Sequence, residues 1–390
     1  MRLDNAEDIR LDGVSALRAV YNGEIVWEPD TGSSIPFYDP LITAGTGIWS
    51  WGANNWGQLG IGNTTSPQTN IVQAGSFTDW TNVHMTRNDL YAIRNDGVHG
   101  SGARFNNQHP GGSSLGDFSA GEDWKFVAGS DDTVYAIRTN GTLWARGGGT
   151  GISGVAYGST WTQLGSNSNW FMADCGRPFG VFLAEDGTAW SIGWNADGRT
   201  GLGISTNTFT TVITQIGTDT DWRWVACGHY HTHLIKEDGT LWSFGPNTNG
   251  RTGLNTTGGN TLVPTQVTGA SNWLQVAGGL AHSLGVRADG TLWAWGQNSN
   301  FKTAQGTASG NTLVPTQVGS DTDWVWCYAS YEASAAIKSD GTLWTWGSNA
   351  SGATAQGTTS GTTNTPTQVG SDTDWIRVYG ANSNFCAVKG

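Results

Sequence analysis

A short apolar stretch, Gly290-Thr291-Leu292-Trp293-Ala294-Trp295-Gly296, returns along almost the whole chain and limits what it can fold into. Its copies are Gly47-Ile48-Trp49-Ser50-Trp51-Gly52, Thr142-Leu143-Trp144-Ala145-Arg146-Gly147, Thr188-Ala189-Trp190-Ser191-Ile192-Gly193, Thr240-Leu241-Trp242-Ser243-Phe244-Gly245 and Thr342-Leu343-Trp344-Thr345-Trp346-Gly347. A degenerate version, Gly97-Val98-His99-Gly100-Ser101-Gly102, makes seven. From the first residue of each core to the next, the steps are 50, 45, 46, 52, 51 and 51. A period near fifty means one supersecondary unit per repeat, none able to bury its apolar face alone.

A second signal runs in phase with the first: Asp79-Trp80, Asp123-Trp124, Asn169-Trp170, Asp221-Trp222, Asn272-Trp273, Asp323-Trp324 and Asp374-Trp375. Seven units of about fifty residues predict one all-β, seven-bladed β-propeller over residues 45–390 rather than two or three separate domains. Of the 22 tryptophans, sixteen occupy repeat slots, so most of the tryptophan is scaffold. Within each unit, six Asp/Asn-Gly pairs, beginning at Asp96, Asn140, Asp186, Asp238, Asp289 and Asp340, predict tight hairpins. The variable stretches 53–75, 194–218, 246–266, 297–317 and 348–368 are predicted as rim loops.

The two ends complete each other. The last repeat stops at Gly390, where every other would continue into Gly-Thr-Leu-Trp, and that missing piece stands at Gly45-Thr46-Gly47-Ile48-Trp49. A closing blade built from both termini follows, because it pairs strand edges that would otherwise be open. The stretch Pro315–Trp324 recurs unchanged at Pro366–Trp375, and Asn260–Val267 recurs as Asn311–Val318, so the last blades are recent duplicates. The units around residues 98–165 are shorter and eroded.

Residues 1–30 do not follow the repeat. Arg18-Ala19-Val20-Tyr21, Asn22-Gly23 and Glu24-Ile25-Val26-Trp27 read as a β-hairpin with a type I′ turn. So small a hairpin is marginal alone in water, which makes Val20, Tyr21, Ile25, Val26 and Trp27 assembly candidates. Residues 31–44, with Ser33, Ser34, Pro36 and Pro40, read as a linker.

The formal charge of −12 sets up repulsion toward phosphate backbones and anionic lipid, which argues against nucleic acid as a partner. No window holds the roughly 18 apolar residues of a spanning helix, and Met1-Arg2-Leu3-Asp4 lacks the apolar run of a secretory signal, so neither membrane insertion nor export is expected. The four cysteines form no C-x-x-C pair; Cys175, Cys227 and Cys327 fall in slots held elsewhere by Gly or Val and read as small buried thiols.

At Asp289-Gly290-Thr291-Leu292-Trp293-Ala294-Trp295-Gly296-x-Asn298 and at Trp51-Gly52-Ala53-Asn54-Asn55-Trp56-Gly57-Gln58-Leu59-Gly60 the sequence resembles the regulator of chromosome condensation repeat family. Cys227-Gly228-x-x-His231 and Gly278-Gly279-x-x-His282 match that family's Gly-x-x-His element. The resemblance implies a seven-bladed propeller. It does not carry over the founder's nucleotide-exchange and nucleosome-docking roles, because the basic extension and family-specific loop those use have no counterpart here. Val14–Trp27 resembles short hairpin modules of bacteriophage virion and tail-associated proteins, in the form Val-x-x-Val-Tyr-x-Gly-x-x-Val-Trp.

Chemistry is sparse. His229-Tyr230-His231-Thr232-His233 would line imidazoles on one strand face, yet His231 aligns with the repeat's own His282 and no further ligand stands at metal spacing. The Asp-Thr-Asp runs at 219–221, 321–323 and 372–374 read as turn caps rather than calcium sites. Neither a catalytic set nor a cofactor motif is assigned, so the chain is expected not to be an enzyme. The propeller's non-repeat aromatics, Trp56, Trp161, Trp194, Trp224, Trp326, Phe209 and Phe301, could stack on sugars at a rim, although packing between blades is the expected use for most of them; Trp56, Trp194, Phe209 and Phe301 are the rim-contact candidates. The expected function is a bacteriophage virion component of tail, fibre or baseplate, anchored by the hairpin to other virion proteins or to a second copy of itself. Its rim would meet a host surface protein or glycan. A stand-alone bacterial binding or inhibitor propeller is the alternative, resembling secreted β-lactamase-inhibitor propellers, and a small-GTPase regulator the third reading.

Overall fold

The computed structural model describes residues 19–21, 24–27, 46–103, 112–120, 123–130, 133–147, 158–306 and 308–390. Within them lie seven four-stranded antiparallel sheets and one two-stranded sheet. Each large sheet is a blade, with its strands in chain order from inside to outside in six of the seven, and the inner strands pack side by side in a closed ring around a central channel. Six blades are continuous in sequence, with inner strands Asn82–Met85, Trp124–Gly129, Trp170–Gly176, Trp222–Cys227, Trp273–Gly278 and Trp324–Ala329. They are called blades 2 to 7.

Blade 1 joins the termini. Its inner strands are Trp375–Ala381 and Asn384–Lys389, its outer strands Gly47–Gly52 and Gln68–Gln73. Ile48 pairs with Val388 and Trp51 with Phe385, so the expected closing blade forms with continuous register from Gly47↔Lys389 to Gly52↔Asn384. A strand of the N-terminal part thereby covers what would be an open apolar edge.

The two sequence markers meet inside each blade. The tryptophan that opens an inner strand lies edge to face against the motif tryptophan of the third strand, at centroid distances of 5.8–6.4 Å in blades 1, 3, 4, 5, 6 and 7. In blade 2, His99 fills the motif slot and packs 5.3 Å from Trp80. The motif's threonine accounts for the rest of its wording. Thr240 Oγ1 donates to Asp238 and accepts from Trp242 Nε1 at 2.9 Å, and the same chain is built on Thr142, Thr188, Thr291 and Thr342.

In these turns positive φ falls on the glycine, 75–77° in Gly141, Gly187, Gly239, Gly290 and Gly341. The glycine amide bonds three residues back, as when Gly239 N donates to Lys236 O, which makes a type I turn followed by a left-handed glycine. The same glycines abut the next blade, so a side chain there would meet the link before its marker tryptophan.

The stretches predicted as rim loops are half strand. Gln68–Gln73, Phe209–Gln215, Asn260–Gln266, Asn311–Gln317 and Thr362–Gln368 form the outer strands of their blades. Pro264, Pro315 and Pro366 mimic a loop signal, but they sit where the ladder slips, on a free edge that needs no amide. At the N-terminus, Ala19–Tyr21 and Glu24–Trp27 pair antiparallel, with Val20 opposite Ile25 and Tyr21 opposite Glu24. The Asn22-Gly23 turn, the side chains of Val20, Tyr21, Ile25, Val26 and Trp27, and the linker 31–44 lie outside the described residues. Among those residues no helix is long and apolar enough to cross a membrane.

Candidate functional site

Inner and third strands run in the same direction, so the loops following every third strand gather on one face with the turns that leave the inner strands. These loops span residues 53–67, 195–208, 247–259, 298–310 and 349–361. Each is held by one buried asparagine, Asn54, Asn195, Asn247, Asn298 or Asn349. Asn349 is typical: its Oδ1 accepts from Thr354 N at 3.1 Å and its Nδ2 donates to Thr358 O at 3.0 Å. Four of the loops also bond the outer strand of the following blade, through Gly62 N to Ser113 O, Gly203 N to Leu262 O, Asn255 N to Leu313 O and Gly357 N to Thr69 O. With both ends pinned, the intervening residues are free to vary.

The rim candidates do not form one patch. Trp56 is exposed on blade 1, with 54% of its surface free. Trp194 and Phe209 pair across blade 4 at 4.9 Å, and Phe301 stands on blade 6 at a φ of 61°. Trp161 packs against the marker Trp124 at 4.7 Å.

Trp224 and Trp326 belong to neither rim nor ordinary core; they line the channel. Each inner strand has one edge outside its blade's ladder facing the axis, and in five blades a side chain from the preceding blade caps it. Trp224 Nε1 donates to Val276 O at 3.1 Å and Trp326 Nε1 to Val378 O at 2.9 Å. Asn82 Oδ1 accepts from Val127 N at 3.1 Å, and Gln275 Oε1 from Cys327 N at 3.2 Å. Asp174 caps blade 5, its Oδ2 accepting from Cys227 N at 2.7 Å while Oδ1 accepts from Cys175 N at 2.8 Å.

Sequence reasoning missed Asp174. It keeps some surface open to the channel but lies so deep among protein atoms that desolvation pushes its pKa up to about 7, against the pull of its two amide donors. Two cavities occupy the channel. One of about 80 Å³ opens at the loop face, with Arg87, Arg177 and His229 at its rim; a deeper one of about 50 Å³ lies beside Asp174.

The remaining polar groups serve the scaffold. His231 Nε2 and His233 Nε2 reach Ser283 Oγ at 3.0 and 2.8 Å, and His282 Nε2 reaches Ser334 Oγ at 3.0 Å, so the Gly-x-x-His element latches one blade to the next. Among the described residues no group of three or more His, Cys, Asp or Glu is arranged to hold a metal. The Asp-Thr-Asp runs are lysine clamps rather than turn caps. Lys338 Nζ lies 2.7 Å from Asp321 and 3.1 Å from Asp323, and 4.9 Å over both Trp324 and Trp344. Lys236 and Lys389 sit the same way in blades 5 and 1. Cys227 is buried and Cys175 half-buried, and burial raises both thiol pKa values.

A closed ring of seven four-stranded blades, sealed by its two termini and pinned by asparagine loops, defines a seven-bladed propeller. Models of the family described as the regulator of chromosome condensation (RCC1) repeat match residues 238–286 and 273–301. Among curated proteins the chain is 28% identical over 191 residues to the probable E3 ubiquitin-protein ligase HERC6 of Homo sapiens, covering 46% of this chain and 18% of HERC6. It is 30% identical over 182 residues to the ultraviolet-B receptor UVR8 of Arabidopsis thaliana, covering 44% of this chain and 40% of UVR8. The chain thus spans less than half the length of either relative. Among solved structures, Prp20p of Saccharomyces cerevisiae superposes with a TM-score of 0.80 at 18% identity, covering 90% of this chain and 92% of Prp20p. Human WBSCR16 gives 0.78 at 17% identity, covering 88% and 98%. At such identities the structural likeness concerns the fold.

Proposed function

We propose that this propeller is a protein-binding module that acts through its loop face and N-terminal arm, without catalysis of its own, and that it serves as a structural or host-contact component of a bacteriophage virion. The observation that carries the binding reading is how the polar groups are distributed. The repeat carboxylates hold lysines and turns, and the repeat histidines hold serines of the next blade, whereas the pinned loops differ from blade to blade and expose Trp56 and Ile204. A yeast protein of this fold binds proteins: Prp20p has binding properties toward Gsp1p and histones, and Kap60 is seen bound to yeast RCC1 (Prp20). The virion reading rests on the hairpin sequence around Tyr21 and Trp27, which falls outside the repeat and resembles virion-associated modules.

Light scattering of the full chain beside one starting at Ile42 tests this. Residues 42–390 retain every strand of the seven blades. Assembly of the full chain with a monomeric shorter form supports the anchoring role; two monomers of equal stability would remove it and leave a free binding module.

A further inference from the structure

We propose that the middle of the channel is a binding site for a small organic ammonium ion, held by the Asp174 carboxylate and the aromatic rings around it. The inference is independent of the virion reading. Asn82, Gln275, Trp224 and Trp326 are neutral and satisfy the next blade's backbone at the third residue after its marker tryptophan; Asp174 does so two residues further on, at Cys227, with an ionisable carboxylate. The scaffold therefore does not require a carboxylate at this place.

Nothing within the described chain balances that charge. The contacts of Asp174 are two backbone amides, one on each oxygen, and no lysine, arginine or histidine side chain is bonded to it. A carboxylate offers about four acceptor positions, so two remain. A buried charge is ordinarily paired, coordinated or neutralised, and an unpaired one in a cavity marks a ligand position.

The walls select the kind of cation. Trp224 and Trp326 meet at 5.7 Å, and Tyr328 and Tyr379 at 5.9 Å, lining the same cavity of about 50 Å³ as Asp174. At the level of Asp174 the strands on either side carry Ala128 and Ala226, with Ala277 next, which leaves space there, while His84, Tyr328 and Tyr379 fill the same slot farther round the channel; His84 Nε2 reaches Gly129 O at 3.1 Å rather than Asp174. Hard metal ions prefer several oxygen ligands, and one carboxylate among rings is a poor cage for them. Ring faces attract ammonium groups, with methylated ones best matched to apolar walls. The guanidinium of Arg377 already stacks on Trp326 at 4.1 Å, which shows a cation on one of these rings without contact to Asp174.

The test is calorimetric titration of the full chain with choline chloride at a constant ionic strength of about 0.15 M, beside its uncharged isostere 3,3-dimethyl-1-butanol. Saturable choline binding with a dissociation constant on the order of 1 mM or tighter is expected, at least about tenfold weaker for the isostere. Asp174→Asn, confirmed folded by its circular dichroism and melting curve, is expected to lose at least about tenfold in choline affinity. Equal binding of choline and isostere would overturn the proposal, as would the absence of saturable heat or an unchanged affinity in folded D174N. The isostere comparison stands even if the variant fails to fold.

Discussion

Trp49 and Trp375 meet edge to face at 6.3 Å, one from the first strand of the propeller and one from its last blade-opening tryptophan, with Lys389 Nζ 4.5 Å over Trp375. This contact inside the shared blade is what the other blades make between near neighbours. Here it holds the ring shut.

Trp375→Ala is expected to cost about 3–5 kcal/mol, as for large-to-small changes of a buried aromatic residue. Combined with Trp49→Ala, the loss should fall short of additivity by about 0.5–1.5 kcal/mol, the usual worth of an aromatic pair. Denaturant unfolding of the two single variants and the double variant measures this. Strict additivity would mean that the rings are neighbours without coupling.

Gly290 and Gly319 separate two effects of a side chain at positive φ. Both have left-handed backbone, at 75° and 64°, but a Cβ on Gly290 would run into the carbonyl of Thr322 whereas one on Gly319 meets nothing within 4 Å. Gly319→Ala should cost about 1 kcal/mol, from conformation alone, and Gly290→Ala distinctly more. Thermal melts of the two variants decide it, and equal losses would show that the next blade yields to the added methyl.

The lysine clamps should contribute little each. The carboxylates around Lys338 are about half exposed, so solvent screens the pairs. Lys338→Met keeps the contact with Trp324 and Trp344 and should lose about 1 kcal/mol or less, a loss that shrinks as salt is raised. A loss of several kcal/mol, insensitive to salt, would contradict the clamp as described.

Stability should fall on the acid side of neutrality. Desolvation lowers His84 to about 4 and His233 to about 3, and His231 and His282 well below their ordinary value. His229 is lowered to about 4 by desolvation first and then by Arg177 and the other arginines nearby. The unfolded chain takes protons at its ordinary histidine pKa near 6.5, before the folded chain can, so this stabilisation is present above about 6.5 and drains away toward pH 4. Asp174, raised to about 7, acts oppositely: its contribution favours the fold at low pH and is lost as the pH climbs from the usual carboxylate range through 7. Five histidines outweigh one carboxylate, so melting temperatures from pH 8 down to pH 4.5 should decline below about 6.5. A rise over that interval would contradict the buried, neutral histidines.

The fold was legible because the contacts that build a blade are repeated contacts. Trp273 needs Trp293, and Asp289 needs Thr291, in nearly every unit, so two markers with one period specify the ring, and the unfinished last repeat specifies its closure. The channel was not legible for the same reason. Four of the caps stand second after a marker tryptophan, in a slot filled by Asn82, Phe126, Met172, Trp224, Gln275, Trp326 and Arg377, and Asp174 stands fourth, in a slot filled elsewhere by His84, Ala128, Ala226, Ala277, Tyr328 and Tyr379; neither slot repeats as the markers do. Irregularity at a fixed phase was the available signal. Proline misled the outer strands, since Pro264 reads as a breaker and stands on a free edge, and the paired aspartates misled the turns, since Lys338 two strands of sequence away completes them.

Amide hydrogen exchange of the full chain, compared between dilute and assembly-forming concentrations, tests most directly whether the loop face and arm are the contact surfaces. New protection is expected in residues 19–27 and in the loops 53–67, 195–208, 247–259, 298–310 and 349–361, with the Asp-Gly turns and inner strands unchanged. Protection confined to the Asp-Gly turns on the opposite face, around Asp238, Asp289 and Asp340, would contradict it.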